Sequence, residues 1–364
     1  MLAAAVTPVS VACTAMVLGD AAERLIARNH DWPFGEAIIV VNRRGIQKHG
    51  LTLHRPARWV SKHGSVSLVQ FGRELPFAGM NERGLTVDLL HLPDAEFPKS
   101  TDNPAVNTIQ WVQYQLDTAC TVDEVVSSLE DVTPMPMLAQ VERVHYLIND
   151  AEGDSAIVEF LDGQTRVHRG ASIGYCVLAN RPWEASIAAS QTPQAESPQD
   201  WRFETALATV GRSRRDASPS NGEASTAIAD PPVSAMDLGL DTAFEALASV
   251  AQPATTQWNV VYQPAQRRFW IRTRVAAERK LIDLYKIDFS PSLETEMLDI
   301  DASVSGDVTE HWQRYDPAAN QALVENAFSR FLSGSPMALP VQHLVLGYPA
   351  TLSLASEPEK EAAE

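Results

Sequence analysis

The chain has 364 residues, 45% of them hydrophobic, a formal net charge of −17 and three cysteines. That charge argues against nucleic acid or an anionic membrane as partner, since both require basic patches. No apolar run reaches the roughly 18–20 residues of a membrane span, and three cysteines without a CxxC pair argue against a disulfide scaffold.

Residues 2–12, "LAAAVTPVSVA", form an apolar, small-residue leader that ends just before Cys13. Ser10 and Ala12 stand at the −3 and −1 positions of a secretory-type cleavage site, although no Lys or Arg precedes them. The same residues also fit an edge strand. A lipoprotein signal with Cys13 as the lipid anchor is a further alternative, which Ser10 at −3 suits less well than cleavage to a free N-terminal cysteine.

Downstream, "EAIIVVNRRGIQKHGLTL" (36–53) and "LPFAGMNERGLTVDLLHL" (75–92) read as hairpins with turns at Asn42–Gly45 and Asn81–Gly84. Helical spacing follows over 105–119, then over 121–132, which opens on Thr121 and Glu124 in a capping-box pattern. "VHYLINDAEGDSAIVEFL" (144–161) is a third hairpin. Two stretches rich in Pro, Ser and Ala, 186–200 and 212–234, read as long surface loops around a helix at 202–211. A helix at 235–250, a hairpin at 256–273 and a helix at 319–334 complete the order, ahead of the acidic tail "EPEKEAAE" (357–364), expected to be disordered. Strands broken irregularly by helices indicate an α+β layered fold of antiparallel sheet, not a doubly wound parallel one.

Signatures for nucleotide, zinc-protease or serine-hydrolase chemistry (GxGxxG, Walker A, HExxH, GxSxG) are absent from the sequence. His49, His54 and His63 match no metal spacing, so no cofactor is expected. Cys120 and Cys176 lie in apolar-periodic settings and are expected in the core. Cys13 offers nucleophilic chemistry. If cleavage exposes it, its own α-amine, with an ordinary pKa of about 7.7–8.0, becomes a base beside the sulfur. Such a residue needs a cation to favour the thiolate and an anion to hold the ammonium. Arg28 and Asp31 are the right types, but three residues apart on a strand they point to opposite faces, so the segment must turn or bulge for both to reach Cys13.

The Cys13-Thr14 opening, then "ARNHDW", then "GMNERGLTV", resembles the choloylglycine hydrolase family of N-terminal-nucleophile hydrolases. That family includes penicillin V acylases, bile salt hydrolases and N-acyl-homoserine lactone acylases. "HYLINDAEGDSAIVEF", "YCVLANRPW" and "TQWNVVYQPAQRRFWIRT" extend the resemblance in order over about residues 13–275. It implies an αββα sandwich of two antiparallel sheets between helical layers, spanning 13–350, with 1–12 removed and 351–364 a tail. It implies hydrolysis of a linear, non-peptide amide with an apolar acyl group, of the penicillin V or acyl-homoserine lactone type. Bile salt hydrolysis is the alternative within the class, and a non-catalytic lipid-anchored binding protein the alternative outside it. The implied roles are Cys13 as nucleophile, Arg28 and Asp31 as its positioning pair, the Asn81 backbone N–H and the Asn180 amide as oxyanion donors, and Arg202 as the late arginine near the nucleophile. Arg181 stands where the family often has a small polar residue. A homotetramer and a periplasmic or secreted location complete what the resemblance and the leader imply, or a cytoplasmic one if the leader is only a propeptide.

Overall fold

The computed structural model describes residues 12–19, 23–53, 55–138, 142–170, 173, 176–191, 200–217, 235–332 and 335–356. The leader before Ala12, His54, most of the two Pro- and Ser-rich stretches and the acidic tail lie outside the described residues.

Two large, mainly antiparallel sheets carry the chain. In the seven-stranded sheet, Thr14–Leu18 lies beside Leu25–Asp31, which in turn pairs with Thr256–Gln263 and, beyond it, Arg268–Thr273. The nine-stranded sheet has Val144–Asn149, Thr86–His91, Pro76–Asn81, Ser65–Val69 and Ile38–Asn42 as consecutive inner strands. Strands with one wet face alternate apolar and polar. Thr14–Leu18, Leu25–Asp31, Pro76–Asn81 and Val144–Asn149 are instead buried along their whole length.

The cover on each face explains this. Helices Asp200–Ala217 and Ala235–Ser249 pack on the outside of the seven-stranded sheet. Helix Gln110–Thr118 packs on the other side of the nine-stranded sheet, where residues of Pro317–Phe331 and Ala338–Gly347 join the same apolar core. Neighbouring side chains on one strand serve different cores: Leu147 joins the core shared with the first sheet, Tyr146 and Ile148 the core under the helices. The result is the expected αββα sandwich.

Three of the four expected hairpins pair as anticipated. The segment at 36–53 does not: Ile38–Asn42 joins the nine-stranded sheet, whereas Ile46–His49 pairs with Arg58–Val60 in a small separate sheet. Ile38–Asn42 is buried throughout and suits a sandwiched strand, while Ile46–His49 alternates and suits a sheet with one wet face. Half of the expected capping box forms: Thr121 caps the helix by accepting from the Glu124 N–H, whereas the Glu124 carboxylate accepts from the N–H of Cys120, one residue before the cap.

Other boundaries shift. The helix expected over 105–119 begins as strand Ala105–Asn107, and the loop expected from 186 begins as the end of helix Trp183–Ser190. Helix Ala338–Gly347 was not anticipated; its Pro340 sits in the first turn, where a missing N–H is tolerated. Among the described residues no helix is long and apolar enough to cross a membrane. Cys176 is in the core, but Cys120 is not: it is half-buried, with its sulfur 3.1 Å from His63 Nε2.

Candidate active site

Cys13 sits at the head of the first strand with only 2% of its surface exposed. Its backbone partner strand returns antiparallel, so Arg28 and Asn29 fall opposite Ala15 and Thr14. The strand Leu25–Asp31 itself runs unbroken, without the turn or bulge expected between Arg28 and Asp31; the register irregularity lies in its partner, between Thr256 and Trp258. Arg28 and Asp31 therefore point different ways, as their spacing dictates, and approach Cys13 from different sides.

Arg28 is fully buried and reaches towards the second sheet. Its Nη1 donates to the Phe77 carbonyl (3.2 Å) and lies 3.6 Å from Asp88 Oδ1. Its Nη2 donates to the Leu89 carbonyl (2.7 Å) and stands 4.0 Å from Cys13 Sγ. Asp31 faces another group of residues. Its Oδ2 accepts from Gln252 Nε2 (3.1 Å) and lies 3.8 Å from Arg202 Nη1, while Oδ1 accepts from the Thr256 hydroxyl. Burial pushes the Asp31 carboxyl up to about 6, against the lowering effect of those donors and cations. Burial also pushes the Cys13 thiol up; Arg28 opposes this and Asp31 adds to it. With the leader attached the sulfur is therefore a neutral thiol at pH 7.

Arg202 binds the same point from the helical layer. Its Nη1 donates to the carbonyls of Ala12 (2.8 Å) and Cys13 (2.9 Å) and to Thr14 Oγ1 (3.0 Å). Its Nη2 donates to Asn180 Oδ1 (3.1 Å), which fixes the amide so that Asn180 Nδ2 donates to the His91 carbonyl (2.6 Å). Five of the six expected site residues are thus one connected constellation.

Asn81 stands apart. Its N–H donates to the Leu85 carbonyl (3.0 Å) and its Nδ2 to the carbonyls of Leu116 and Ala119. Its Oδ1 accepts from the N–H groups of Arg83 and Leu85. Phe77, four residues earlier on the strand, is the one that touches the Cys13 cavity, which leaves Asn81 about 13 Å further along. The geometry corrects its assignment from oxyanion donor to turn residue, because Asn satisfies a tight turn with its own side chain. Asn81→Ala is accordingly expected to cost about 1–3 kcal/mol in urea unfolding by leaving buried carbonyls unpaired, with kcat within about threefold of wild type on the folded fraction.

Four residues of the site escaped the sequence reading. Gln252 bridges Asp31 and the Ala12 carbonyl (both 3.1 Å), yet its "VAQPA" context carries no pattern. His30, inside the recognised motif, stacks on Trp258 at 3.7 Å. Its Nδ1 meets Arg28 Nη2 (3.2 Å) and its Nε2 meets Gln70 Oε1 (3.0 Å). Burial, then Arg28, hold it well below the usual histidine range, so it is neutral: Nδ1 accepts from Arg28 and Nε2–H donates to Gln70. Asp88 is the buried carboxylate behind Arg28. His91 lines the cavity at Cys13 and closes the contact to Asn180. That cavity, also walled by His30, Trp32, Phe77, Leu89 and Val144, measures about 10 Å³, room for about one water.

A buried cysteine thus heads an inner strand of an αββα sandwich, with arginine and aspartate on the adjacent strand. The family model for linear amide C–N hydrolases, choloylglycine hydrolase family, matches residues 13–190 and so begins at Cys13. A penicillin V acylase from Pectobacterium atrosepticum is 28% identical over 322 residues, spanning 78% of this chain and 84% of the relative. Among solved structures, penicillin V acylase from Agrobacterium tumefaciens superposes with a TM-score of 0.67 at 24% identity, covering 84% of this chain and 98% of that one. A mutant of conjugated bile acid hydrolase from Clostridium perfringens does so with a TM-score of 0.59 at 15% identity, covering 84% and 96%. By these measures the chain is similar to the linear amide C–N hydrolases of the choloylglycine hydrolase family.

Proposed function

We propose that the mature protein begins at Cys13 and hydrolyses acyl amides through a thioester on that residue. The observation that carries this is the convergence on Cys13 of a buried cation (Arg28), a buried carboxylate (Asp31) and an arginine already bonded to the Ala12 and Cys13 carbonyls. The freed α-amine takes the thiol proton, and Arg28 favours the thiolate formed. Asp31, held by Thr256 and Gln252, anchors the ammonium. Sulfur attacks the acyl carbon, and the ammonium gives its proton to the departing amine. Water, deprotonated by the same amine, then releases the acid.

The oxyanion is met by Asn180 Nδ2, whose second hydrogen is not used by His91, and by the His91 N–H. Leu92 N–H donates to the Arg143 carbonyl, so in an antiparallel ladder His91 turns its own N–H and carbonyl the other way. That is the side on which its carbonyl meets Asn180. Each donor is worth about 3–4 kcal/mol to such an intermediate.

The same donors bear on maturation. The Ala12 carbonyl, one bond before Cys13, accepts from Arg202 and Gln252 (2.8 and 3.1 Å). Both polarise it towards attack by the neighbouring sulfur, which supports self-cleavage over an external peptidase. The lipid-anchor alternative fits poorly with a sulfur that is 2% exposed.

The acyl wall of Trp32, Phe77, Leu89 and Val144 favours an apolar acyl group. At about 10 Å³ the cavity admits one only if those side chains shift. The relatives' names point to penicillin V first and bile salts second. Assays of mature wild type and Cys13→Ser on penicillin V, a long-chain acyl-homoserine lactone and glycocholate test the proposal: turnover of at least one, abolished by the variant, is expected. Full activity of Cys13→Ser would overturn it.

Titration of Asp31 gives a second check. In a leader-bearing Cys13→Ala chain its carboxyl is expected to titrate near 6. In a Cys13→Ala chain that starts at residue 13, the new ammonium favours the carboxylate, and the midpoint falls. Carboxyl carbon NMR of the two chains reads the difference directly, and equal midpoints would remove Asp31 from the amine's surroundings.

A further inference from the structure

A second, open groove of about 530 Å³ lies beside the Cys13 cavity. The two are built on the same two chain segments: His91 and Val144 line the cavity, while Pro93 and Arg143 line the groove. Asn180 contacts His91 between them, and Pro182, two residues on, borders the groove. An amide with its acyl half at the Trp32 and Phe77 wall and its carbonyl under Asn180 therefore directs its amine half into this groove.

The groove is acidic. Asp94, Glu96, Asp162 and Glu184 line it against two guanidinium groups, an excess of two negative charges, while Glu159, also in the lining, is engaged by His145 and His168. Arg166 is engaged by Asp162 (3.3 Å) and Glu184 (3.8 Å), and Arg143 donates to the Pro93 carbonyl (2.8 Å). Glu159 stays ionised: burial disfavours its charge, but hydrogen bonds from His145, His168 and the Trp183 N–H hold it at about 2.

Resting on the amidase proposal above, we propose that this groove receives the amine half of the substrate and selects amides whose amine half is uncharged or cationic over those bearing a carboxylate or sulfonate. A carboxylate entering a concave, like-charged wall is repelled both on approach and when bound, and salt screens that repulsion. The net charge of −17 over the whole chain acts in the same direction at longer range, so penicillin V and glycocholate, whose amine halves carry a carboxylate, are expected to be slower substrates than an amide of the neutral homoserine lactone.

Three matched probes separate the possibilities: the phenoxyacetyl amides of 4-aminobutyrate, 4-aminobutanamide and 1,4-diaminobutane, which share acyl group and spacing and carry −1, 0 and +1. At low salt, kcat/KM of the mature enzyme is expected to be at least about tenfold lower for the anion than for the neutral amide, with the cation no worse than neutral. At high salt the gap is expected to shrink to about twofold. Asp94→Asn combined with Glu184→Gln is expected to narrow the low-salt gap. An anionic probe turned over as fast as the neutral one at low salt, or a gap insensitive to both salt and the double variant, overturns the inference while leaving the amidase proposal intact. Hydrolysis of none of the three by an enzyme that still turns over penicillin V, an acyl-homoserine lactone or glycocholate overturns this inference alone; no turnover of any of these amides overturns both.

Discussion

Cys13→Ala is expected to lower kcat/KM for any substrate of this protein by at least about 10⁴-fold, because no other group at the site can form the thioester. The loss should not be one of folding. Cys13 is a small buried side chain, and trimming its sulfur from the core costs about 1–2 kcal/mol, which urea unfolding reads separately. The variant should also accumulate with residues before Cys13 attached, since the sulfur is the proposed attacking group in its own maturation. Loss of turnover with normal processing would separate the two steps and assign the cut to an external peptidase.

Arg28→Met is the second large effect, and it is expected in stability as well as activity. Arg28 spans the space between the sheets and is the only cation within salt-bridge reach of Asp88 among the described residues. Burial already pushes Asp88 up to about 6, with Arg28 the chief force opposing this. Removing the guanidinium strands a buried carboxylate and the Phe77 and Leu89 carbonyls, at a cost of about 3–5 kcal/mol. The thiolate also loses its nearest cation, so the iodoacetamide rate of mature Cys13 is expected to fall about 10-fold or more at pH 7. Arg28→Met with Asp88→Leu separates these roles: most of the stability returns, whereas the alkylation rate and turnover do not. Recovery of activity in the double variant would show that Arg28 matters to the fold alone.

Much of this architecture was legible in the sequence, for identifiable reasons. Hairpins at 75–92, 144–161 and 256–273 announce themselves because each joins two apolar runs across a short polar turn. Cys13, Arg28, Asp31, Asn180 and Arg202 were singled out because an ordered set of short motifs marks them, and they lie together in the fold although 189 positions separate the first from the last. The failures are local as well as long-range. Asn81 was misassigned since a turn asparagine and a donor asparagine look alike in one dimension, and only the Leu85, Leu116 and Ala119 contacts distinguish them. Gln252, Asp88 and His91 act through partners on other strands, so nothing in their own neighbourhoods marks them. The segment at 36–53 was misread because apolar runs flanking a turn do not say whether the second run stays in the same sheet.

The central claim is that a free N-terminal Cys13 carries the acyl group, and intact-protein mass spectrometry of the mature enzyme tests it directly. Mixed with a slow phenoxyacetyl amide and quenched in acid, the protein should show a chain that starts at Cys13 and a fraction heavier by one acyl group, with the label on the first residue. A fully active chain that retains residues before Cys13, or an acyl label on Cys120 or Cys176 instead, would contradict the account.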